Sequence, residues 1–278
     1  MPKCSARWRP GRPPTATPDR YMSEPAPHRI ILAHGFTQTA ASWETFAGLL
    51  AARLPTATVR AVDLPGHGSA EALQADLWAS ADHLVHHGGR ATYVGYSMGG
   101  RVALHAALAH PEFVDRLILV GATAGIEDDG ERRARRASDE ALATRIETVG
   151  VEAFIDEWLA NPLFAGLTPA TDLRADRLRN TAAGLASSLR STGTGTQEPL
   201  WERLATIDVP TLILAGTDDA KFSEIGRRLG DTIPGARFEQ IDGAGHSVHL
   251  ERPAATADVI ANWVTQEPRI RPIEARRA

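Results

Sequence analysis

Six short runs of mostly hydrophobic residues recur between residues 28 and 241, and most lead directly into a turn rich in glycine, proline or aspartate. These runs are HRIILA at 28–33, VRAVDL at 59–64, ATYVG at 91–95, RLILV at 116–120, TLILA at 211–215 and ARFEQI at 236–241. Strands that are buried on both faces read as continuous apolar runs, which is typical of a parallel sheet. We therefore predict six strands in a mostly parallel sheet.

Between these runs, apolar residues recur at the spacing of an α-helix. The predicted helices span 45–54, 73–87, 99–109, 221–229 and 254–265. Alternation of strands and helices favours a doubly wound α/β fold with right-handed crossovers.

One long interval, residues 126–204, contains no convincing strand. It reads as helical stretches at 131–150, 151–159 and 171–190, followed by a Gly/Thr-rich loop at 191–199. A helical insertion over the carboxyl ends of the strands can shape a pocket there. We therefore predict an α/β core formed by residues 28–125 and 205–266, with residues 126–204 inserted as a helical lid.

The two ends of the chain lack apolar periodicity. We expect residues 1–27, which are rich in proline and arginine, and residues 267–278, which are basic, to be solvated tails. Residues 1–27 also allow two other interpretations: a basic targeting or nucleic-acid-binding arm, or an extension upstream of a natural start at Met22.

Composition narrows the class of protein. The chain has 278 residues and a formal net charge of -4, which does not favour a nucleic-acid partner. No apolar run is long enough to cross a bilayer, so we expect no membrane insertion. Cys4 is the single cysteine and cannot form an intrachain disulfide. This fits a reducing compartment, and we expect a cytoplasmic protein.

The sequence GYSMG at 95–99 matches the nucleophile elbow G-x-S-x-G. It follows an apolar run and opens a predicted helix, which is the setting that this motif requires. The glycines permit a sharp turn that lifts the hydroxyl of Ser97 above the sheet, and the backbone N–H of Met98 can face an oxyanion. An ordinary strand-to-helix turn with a capping serine is the alternative.

A catalytic serine needs a base and an acid. His246, in the glycine-rich GAGH at 243–246, follows the last strand, where the order Ser…Asp…His places the base. His249 is the competitor, although a packing or capping role suits it better. Asp218 and Asp219 both follow the fifth strand, and spacing alone leaves them open because Asp218 could cap the next helix.

The HGF sequence at 34–36 ends the first strand, so the backbone N–H of Phe36 is the expected second oxyanion donor. His67, in DLPGHG at 63–68, is interpreted as part of a structural turn. The chain has no cluster with metal-ligand spacing and no nucleotide-binding motif, so we expect neither a metal nor a cofactor.

These motifs resemble the α/β-hydrolase superfamily over nearly the whole folded chain. Sequences in and after the predicted lid are similar to one subfamily, the 2-succinyl-6-hydroxy-2,4-cyclohexadiene-1-carboxylate synthases of menaquinone biosynthesis. The similar sequences are GIEDDGERRARRASDE at 125–140, FIDEWLANPLFAGL at 154–167, LRSTGTGTQEPLW at 189–201 and LAGTDDAKF at 214–222. Most members begin with a β-hairpin before the HG strand, which this chain lacks or replaces.

The resemblance implies that Asp219 is the acid of the triad. It also implies substrate-binding roles for Tyr96, Arg101, Arg135, Trp158 and Phe164. For the arginines, a solvated helix face is the alternative, since Arg135 lies in a run of four arginines between 132 and 136.

The implied activity is that of a lyase. Its substrate would be a cyclohexene dicarboxylate with a succinyl group and an enolpyruvyl ether, from which the triad removes a proton and pyruvate leaves. Arginine binds carboxylates in a bidentate manner, so a small anionic substrate is consistent with the arginines.

Two other functions remain open. One is a serine-dependent carboxylic-ester or carbon–carbon hydrolase of a small acidic substrate, because one triad serves many reactions. An apolar lid facing the pocket would favour a hydrolase of apolar esters, whereas converging arginines favour the lyase. The other is a non-catalytic binding protein, which should not react with a fluorophosphonate probe at Ser97.

Overall fold

The computed structural model describes residues 28–266, so the predicted tails at 1–27 and 267–278, with Cys4 and Met22, lie outside the described residues. The strands are β1 His28–Ala33, β2 Ala57–Val62, β3 Ala91–Tyr96, β4 Val114–Val120, β5 Thr211–Gly216 and β6 Arg237–Ile241. The helices are α1 Glu44–Arg53, α2 Leu77–Gly88, α3 Met98–Ala109, α4 Asp129–Leu159, α5 Arg174–Arg177, α6 Ala182–Thr192, α7 Ala220–Thr232, α8 Val248–Glu251 and α9 Pro253–Thr265.

The six strands form one sheet in the order β2-β1-β3-β4-β5-β6, and every neighbouring pair is parallel. The expectation of a mostly parallel, doubly wound sheet is therefore confirmed. All six strands end at the same edge, which brings the turns after β1, β3, β5 and β6 to one side of the molecule. Within the described residues β2, beside β1, is an edge strand of the sheet. The residues before β1, where relatives have a β-hairpin, lie outside the described range.

Alternation along the strands divides the core into two layers. In β1, Ile31 packs with α2 and α3 on one face, while Ile30 and Leu32 pack with α1 and α9 on the other. In β3, Tyr93 belongs to the first layer and Val94 to the second. Each fully buried aliphatic side chain of this kind stabilises the fold by roughly 1.5–3 kcal/mol, so the central strands are the most strongly fixed part of the molecule.

Residues 126–204, which we call the lid segment, have an apolar cluster of their own between α4 and α6. Ile146, Phe154 and Ile155 from α4 pack against Leu185 and Leu189 from α6. α4 is interrupted at Gly150, whose backbone is non-helical (φ 79°, ψ 170°). This is the position at which the sequence predicts one helix to end and the next to begin.

The prediction of one helical stretch over 171–190 is wrong. The structure has the short helix α5, a turn, and then α6. Thr181 caps α6 by accepting from the N–H of Gly184, and the side chain of Asn180 donates to the carbonyl of Thr37 in the turn after β1. Such side-chain bonds compete with a continuous helix. In the same way Asp76 caps α2, which therefore begins at Leu77 and not at residue 73.

His249 is buried in an aromatic cage beneath the strand-end edge of the sheet. Its ring lies 4.3 Å from that of Trp43 and 4.5 Å from that of Tyr96, measured between ring centroids. Neither ring nitrogen has a hydrogen-bond partner among the described residues. Burial, with smaller contributions from His246 and Arg177, lowers the pKa of His249 to about 3, so the ring is neutral in the folded protein.

This neutral histidine makes stability depend on pH. In the unfolded chain the pKa of this histidine is about 6.5, so below that pH the unfolded chain binds a proton that the folded chain does not bind. The free energy of unfolding therefore falls as the pH falls from about 6.5 toward 3. We predict that His249→Phe reduces this slope by up to about 1.4 kcal/mol per pH unit. Urea unfolding at several pH values measures it. The exposed His86→Phe is the matched control, and an equal change in both variants would contradict the prediction.

Candidate active site

Ser97 lies in a strained turn between β3 and α3. Its backbone adopts φ 51° and ψ −108°, and its N–H donates to the carbonyl of Val120 in β4 (2.8 Å). The turn requires its glycines: a Cβ on Gly95 would lie 2.3 Å from the carbonyl oxygen of Gly99, and one on Gly99 would lie 2.2 Å from that of Ala33. The hydroxyl of Ser97 is therefore raised above the sheet edge by backbone packing that no larger residue permits.

The structure brings Ser97, His246 and Asp219 together in a chain of hydrogen bonds. The Nε2 atom of His246 is 3.3 Å from the Oγ of Ser97, and its Nδ1 atom is 2.8 Å from the Oδ2 of Asp219. Since a carboxylate can only accept, the Asp219 contact assigns the ring proton to Nδ1 and leaves the Nε2 lone pair facing Ser97. This is the arrangement in which a histidine can take the hydroxyl proton.

Asp219, not Asp218, is the acid that faces His246. Asp219 is also the residue that caps α7, by accepting from the N–H of Phe222 (3.1 Å), while Asp218 lies exposed beside Thr217. Burial raises the pKa of the Asp219 carboxyl, but the hydrogen bonds from His246 and Phe222 outweigh this effect and hold the pKa below its ordinary value. Asp219 therefore stays ionised.

The ring of His246 is confined on several sides. Phe222 and Tyr96 pack on it with ring centroids at 4.4 Å and 5.3 Å. The backbone of Gly121 also lies against the ring, since a Cβ there would lie 2.9 Å from the Cε1 of His246, and its φ is 56°. These contacts fix the ring orientation that the two hydrogen bonds need.

Two backbone N–H groups beside Ser97 are available to an anion. The N–H of Phe36 and that of Met98, the first residue of α3, have no acceptor in the part of the chain that the structure describes. Both residues line the same pocket as Ser97 and His246. This is the placement that the sequence predicts for an oxyanion hole.

Four cationic side chains line that pocket, and within residues 28–266 no aspartate or glutamate lines it. The cations are Arg101, Arg135, Arg177 and Lys221. Arg101 is buried, and its Nη1 donates to the carbonyl of Thr192 (2.5 Å). Burial, followed by repulsion from Arg135, lowers the pKa of Arg101 to about 10, so its charge persists at neutral pH.

Arg135 reaches the pocket from the lid segment and is held by a buried acid. Its Nε donates to the Oδ1 of Asp139 (2.7 Å), and the Oδ2 of Asp139 accepts from the N–H of Gly195 (3.0 Å). Asp139 is 1 % exposed, whereas the Arg135 side chain is 40 % exposed. The buried carboxylate of Asp139 therefore fixes the orientation of the guanidinium, which does not lie free on a solvated helix face.

Arg177 is a pocket residue that sequence reasoning missed. It is 1 % exposed, lies over the ring of Phe164 and donates from Nε to the carbonyl of Asp172 (2.8 Å). Its Nη2 is buried without a partner among the described residues. The sequence LRADRLRN around it has several arginines and no spacing that distinguishes this one.

Lys221 is a second pocket residue that sequence reasoning missed. It stands two residues after Asp219, at the start of α7.

Aromatic side chains line the same pocket as the cations. Trp158 packs edge-on against Phe36 (5.3 Å between centroids) and tilts against Phe164 (5.6 Å). Tyr96 also lines the pocket, but its hydroxyl is engaged with the Oγ of Ser247 (2.7 Å). The structure thus places every residue predicted to bind substrate at this pocket.

The competing His249, and His67 of the predicted structural turn, do not line the pocket. His249 sits in its aromatic cage, and His67 is fully buried, accepting at Nε2 from the N–H of Thr37 (3.4 Å). Within the described residues no group of three or more His, Cys, Asp or Glu side chains could hold a metal ion. No helix in that range is long and apolar enough to span a membrane.

Sequence comparison matches residues 30–259 to the model of the alpha/beta hydrolase family. A Bacillus subtilis protein named putative 2-succinyl-6-hydroxy-2,4-cyclohexadiene-1-carboxylate synthase is 36 % identical, over 86 % of this chain and 91 % of that protein. A protein of the same name, without "putative", from Serratia proteamaculans is 33 % identical, over 84 % and 92 % of the two chains.

Two solved structures are similar throughout the fold. MenH from S. aureus superposes with a TM-score of 0.79 at 29 % identity, covering 87 % of this chain and 95 % of that one. The enol-lactonase from Burkholderia xenovorans LB400 gives a TM-score of 0.71 at 25 % identity, covering 86 % and 92 %. With its parallel sheet and its sequence matches, the chain belongs to the alpha/beta hydrolase family, among relatives named 2-succinyl-6-hydroxy-2,4-cyclohexadiene-1-carboxylate synthases.

Proposed function

We propose that this protein is a lyase that eliminates pyruvate from the enolpyruvyl cyclohexene intermediate of menaquinone biosynthesis. The single observation that carries the proposal is the charge of the pocket. Arg101, Arg135, Arg177 and Lys221 converge on the space in front of Ser97, and within the described range no carboxylate side chain lines it. A substrate with several carboxylates would pair with these cations, whereas a neutral ester would leave three of them without a carboxylate partner, since within the described residues only Arg135 has one, Asp139.

The names of the curated relatives support the same substrate. The substrate that the family resemblance implies is a cyclohexene dicarboxylate with a succinyl group and an enolpyruvyl ether. The aromatic side chains of Trp158, Phe164 and Phe36 suit its apolar ring, and the cations of the same pocket suit its carboxylates. Substrate position would thus be set by charge and by apolar contact together.

The triad would act as a base. His246 holds the lone pair of Nε2 toward Ser97, so it can accept the hydroxyl proton as the Ser97 oxygen takes a proton from the carbon next to the substrate carbonyl. The electrons of that C–H bond form a new carbon–carbon double bond, and the C–O bond to the enolpyruvyl group breaks. The departing enolate takes the proton held by His246 onto its methylene carbon and becomes pyruvate, which returns the imidazole to its neutral form. Asp219 stabilises the imidazolium that forms on His246.

The proposed oxyanion donors serve this step. Removal of the proton moves negative charge onto the substrate carbonyl oxygen. The N–H groups of Phe36 and Met98 would stabilise that charge, and such preorganised donors are each worth about a hundredfold or more in rate. The same donors would serve ester hydrolysis, so they do not by themselves distinguish a lyase from a hydrolase.

The test is an assay of the purified protein with the enolpyruvyl intermediate made in situ by the preceding enzyme. Pyruvate release is measured beside hydrolysis of p-nitrophenyl acetate. The proposal predicts pyruvate release with kcat/KM above roughly 10⁵ M⁻¹s⁻¹. Ester hydrolysis without pyruvate release would instead establish a serine-dependent hydrolase, the activity class to which the similar enol-lactonase belongs.

Ser97→Ala and His246→Ala should each lower pyruvate release at least about a thousandfold, because the remaining residues cannot move the proton. Ser97→Ala should also abolish labelling by a fluorophosphonate. Thermal unfolding of each variant checks that the fold is intact. Ser138→Ala, which alters an exposed serine of the lid segment, is the control and should behave as the unmodified protein. Undiminished pyruvate release by Ser97→Ala would refute the proposed role of the hydroxyl.

Arg101→Met and Arg135→Met should raise KM and lower kcat for the anionic substrate, with kcat/KM reduced about ten- to hundredfold for the loss of one charged hydrogen-bonding group. Hydrolysis of a neutral p-nitrophenyl ester, if present, should change little. Arg179→Met removes an exposed lid arginine and serves as the matched control. Equal losses on the anionic and the neutral substrate would show that these arginines do not act by binding carboxylates.

A further inference from the structure

The turn that carries Phe36 is closed around a strained residue. The N–H of Gln38 donates to the carbonyl of Gly35 (3.2 Å), which makes Phe36 and Thr37 the two central residues of a four-residue turn. Thr37 has φ 70°, a left-handed conformation that glycine and asparagine adopt more readily than a β-branched residue. Without outside support, this turn would relax toward negative φ and rotate its peptide groups.

Three buried residues hold Thr37 in that conformation. Asn180 donates from Nδ2 to the carbonyl of Thr37 (2.7 Å), His67 accepts from its N–H (3.4 Å), and Arg177 donates to its hydroxyl. Asn180 and Arg177 come from the lid segment, about 140 residues along the chain from the turn. The lid segment therefore contacts the core at the residue next to the proposed oxyanion donor.

Asn180 is the central residue of these contacts. Its Oδ1 accepts from the N–H of Gly68 (3.0 Å), and its Nδ2 also donates to the carbonyl of Arg177 (3.0 Å). It is 5 % exposed and does not line the pocket. One amide side chain thus joins the turn after β1, the turn after β2 and the lid segment, without contacting the space that a substrate would occupy.

We propose that Asn180 is a positioning residue for the oxyanion hole: it holds Thr37 in the left-handed conformation and thereby directs the N–H of Phe36 into the pocket. A neutral amide is suited to this position, because it donates to one backbone carbonyl while accepting from a backbone N–H. The inference rests on the proposed role of the Phe36 N–H and not on which substrate the protein turns over.

The test uses Asn180→Asp, which keeps the shape and the acceptor for Gly68 but replaces the donor to Thr37 with a carboxylate oxygen. We expect kcat to fall about ten- to hundredfold with KM within about twofold, because one oxyanion donor is misdirected. Phenylboronic acid, which forms a tetrahedral adduct with a reactive serine, should bind more weakly by a similar factor in calorimetry. Succinate, a ground-state probe of the pocket cations, should bind equally well. Asn262→Asp, on the exposed face of α9, is the matched control.

A second variant separates positioning from folding. Thr37→Gly allows the positive φ without strain, so Thr37→Gly combined with Asn180→Asp should regain most of the lost boronate affinity. The inference is wrong if Asn180→Asp leaves boronate affinity and kcat unchanged, or if the double variant, with a normal unfolding temperature, stays as impaired as the single one. An unmodified protein that binds the boronate but releases no pyruvate would refute the proposed lyase activity, and the boronate comparison would still decide the role of Asn180.

Discussion

The close approach of β3, α3 and β1 around Ser97 is the constraint on which the active site depends. Gly95 and Gly99 allow backbones to meet at distances that exclude any side chain, and Ser97 is left in a strained conformation as a result. Strain of this kind persists only where the surrounding structure fixes it. Here the buried central strands supply that support, because their two apolar layers hold the sheet edge to which the turn is attached.

The other parts of the site are placed by the same edge. His246 and Asp219 follow neighbouring strands of the parallel sheet, so their side chains meet above it without contributions from distant loops. The hydrogen bond between them orients the imidazole and keeps the carboxylate ionised despite its burial. The sheet therefore provides a base of defined geometry, and this part of the molecule alone would suit many reactions of the family.

We propose that much of the substrate selectivity comes instead from the lid segment. It contributes Arg135 and Arg177 to the pocket, with the aromatic rings of Trp158 and Phe164. Burying guanidinium groups is costly unless they are paired. For the buried Arg101 and Arg177, backbone carbonyls that accept from the guanidinium offset part of that cost, while the partly exposed Arg135 donates to the carboxylate of Asp139. The remaining positive charge that faces the pocket would be neutralised by an anionic substrate.

Sequence reasoning predicted the features with strong local signals. The strands were recognisable as apolar runs, Ser97 by its glycines, and His246 by its place after the last strand. Spacing along the chain could not decide whether Asp218 or Asp219 faces the imidazole. The structure decides it, because only the carboxylate of Asp219 reaches His246. Arg177 and Asn180 were missed since their roles depend on contacts about 140 residues away. The helix predicted over 171–190 was wrong partly for the same reason, since Asn180 bonds to the distant Thr37, and partly because Thr181 starts a new helix by capping it at Gly184.

Proton abstraction by the triad is tested by the single-turnover rate of pyruvate release from a substrate that carries deuterium on the carbon next to its carbonyl. With enzyme in excess, this rate isolates the steps at the bound substrate from product release. The deuterated substrate should react more slowly than the unlabelled one, because the base formed by Ser97 and His246 breaks that bond in the step that expels pyruvate. Equal rates, with a covalent adduct on Ser97 detected by mass spectrometry, would contradict it and establish nucleophilic catalysis.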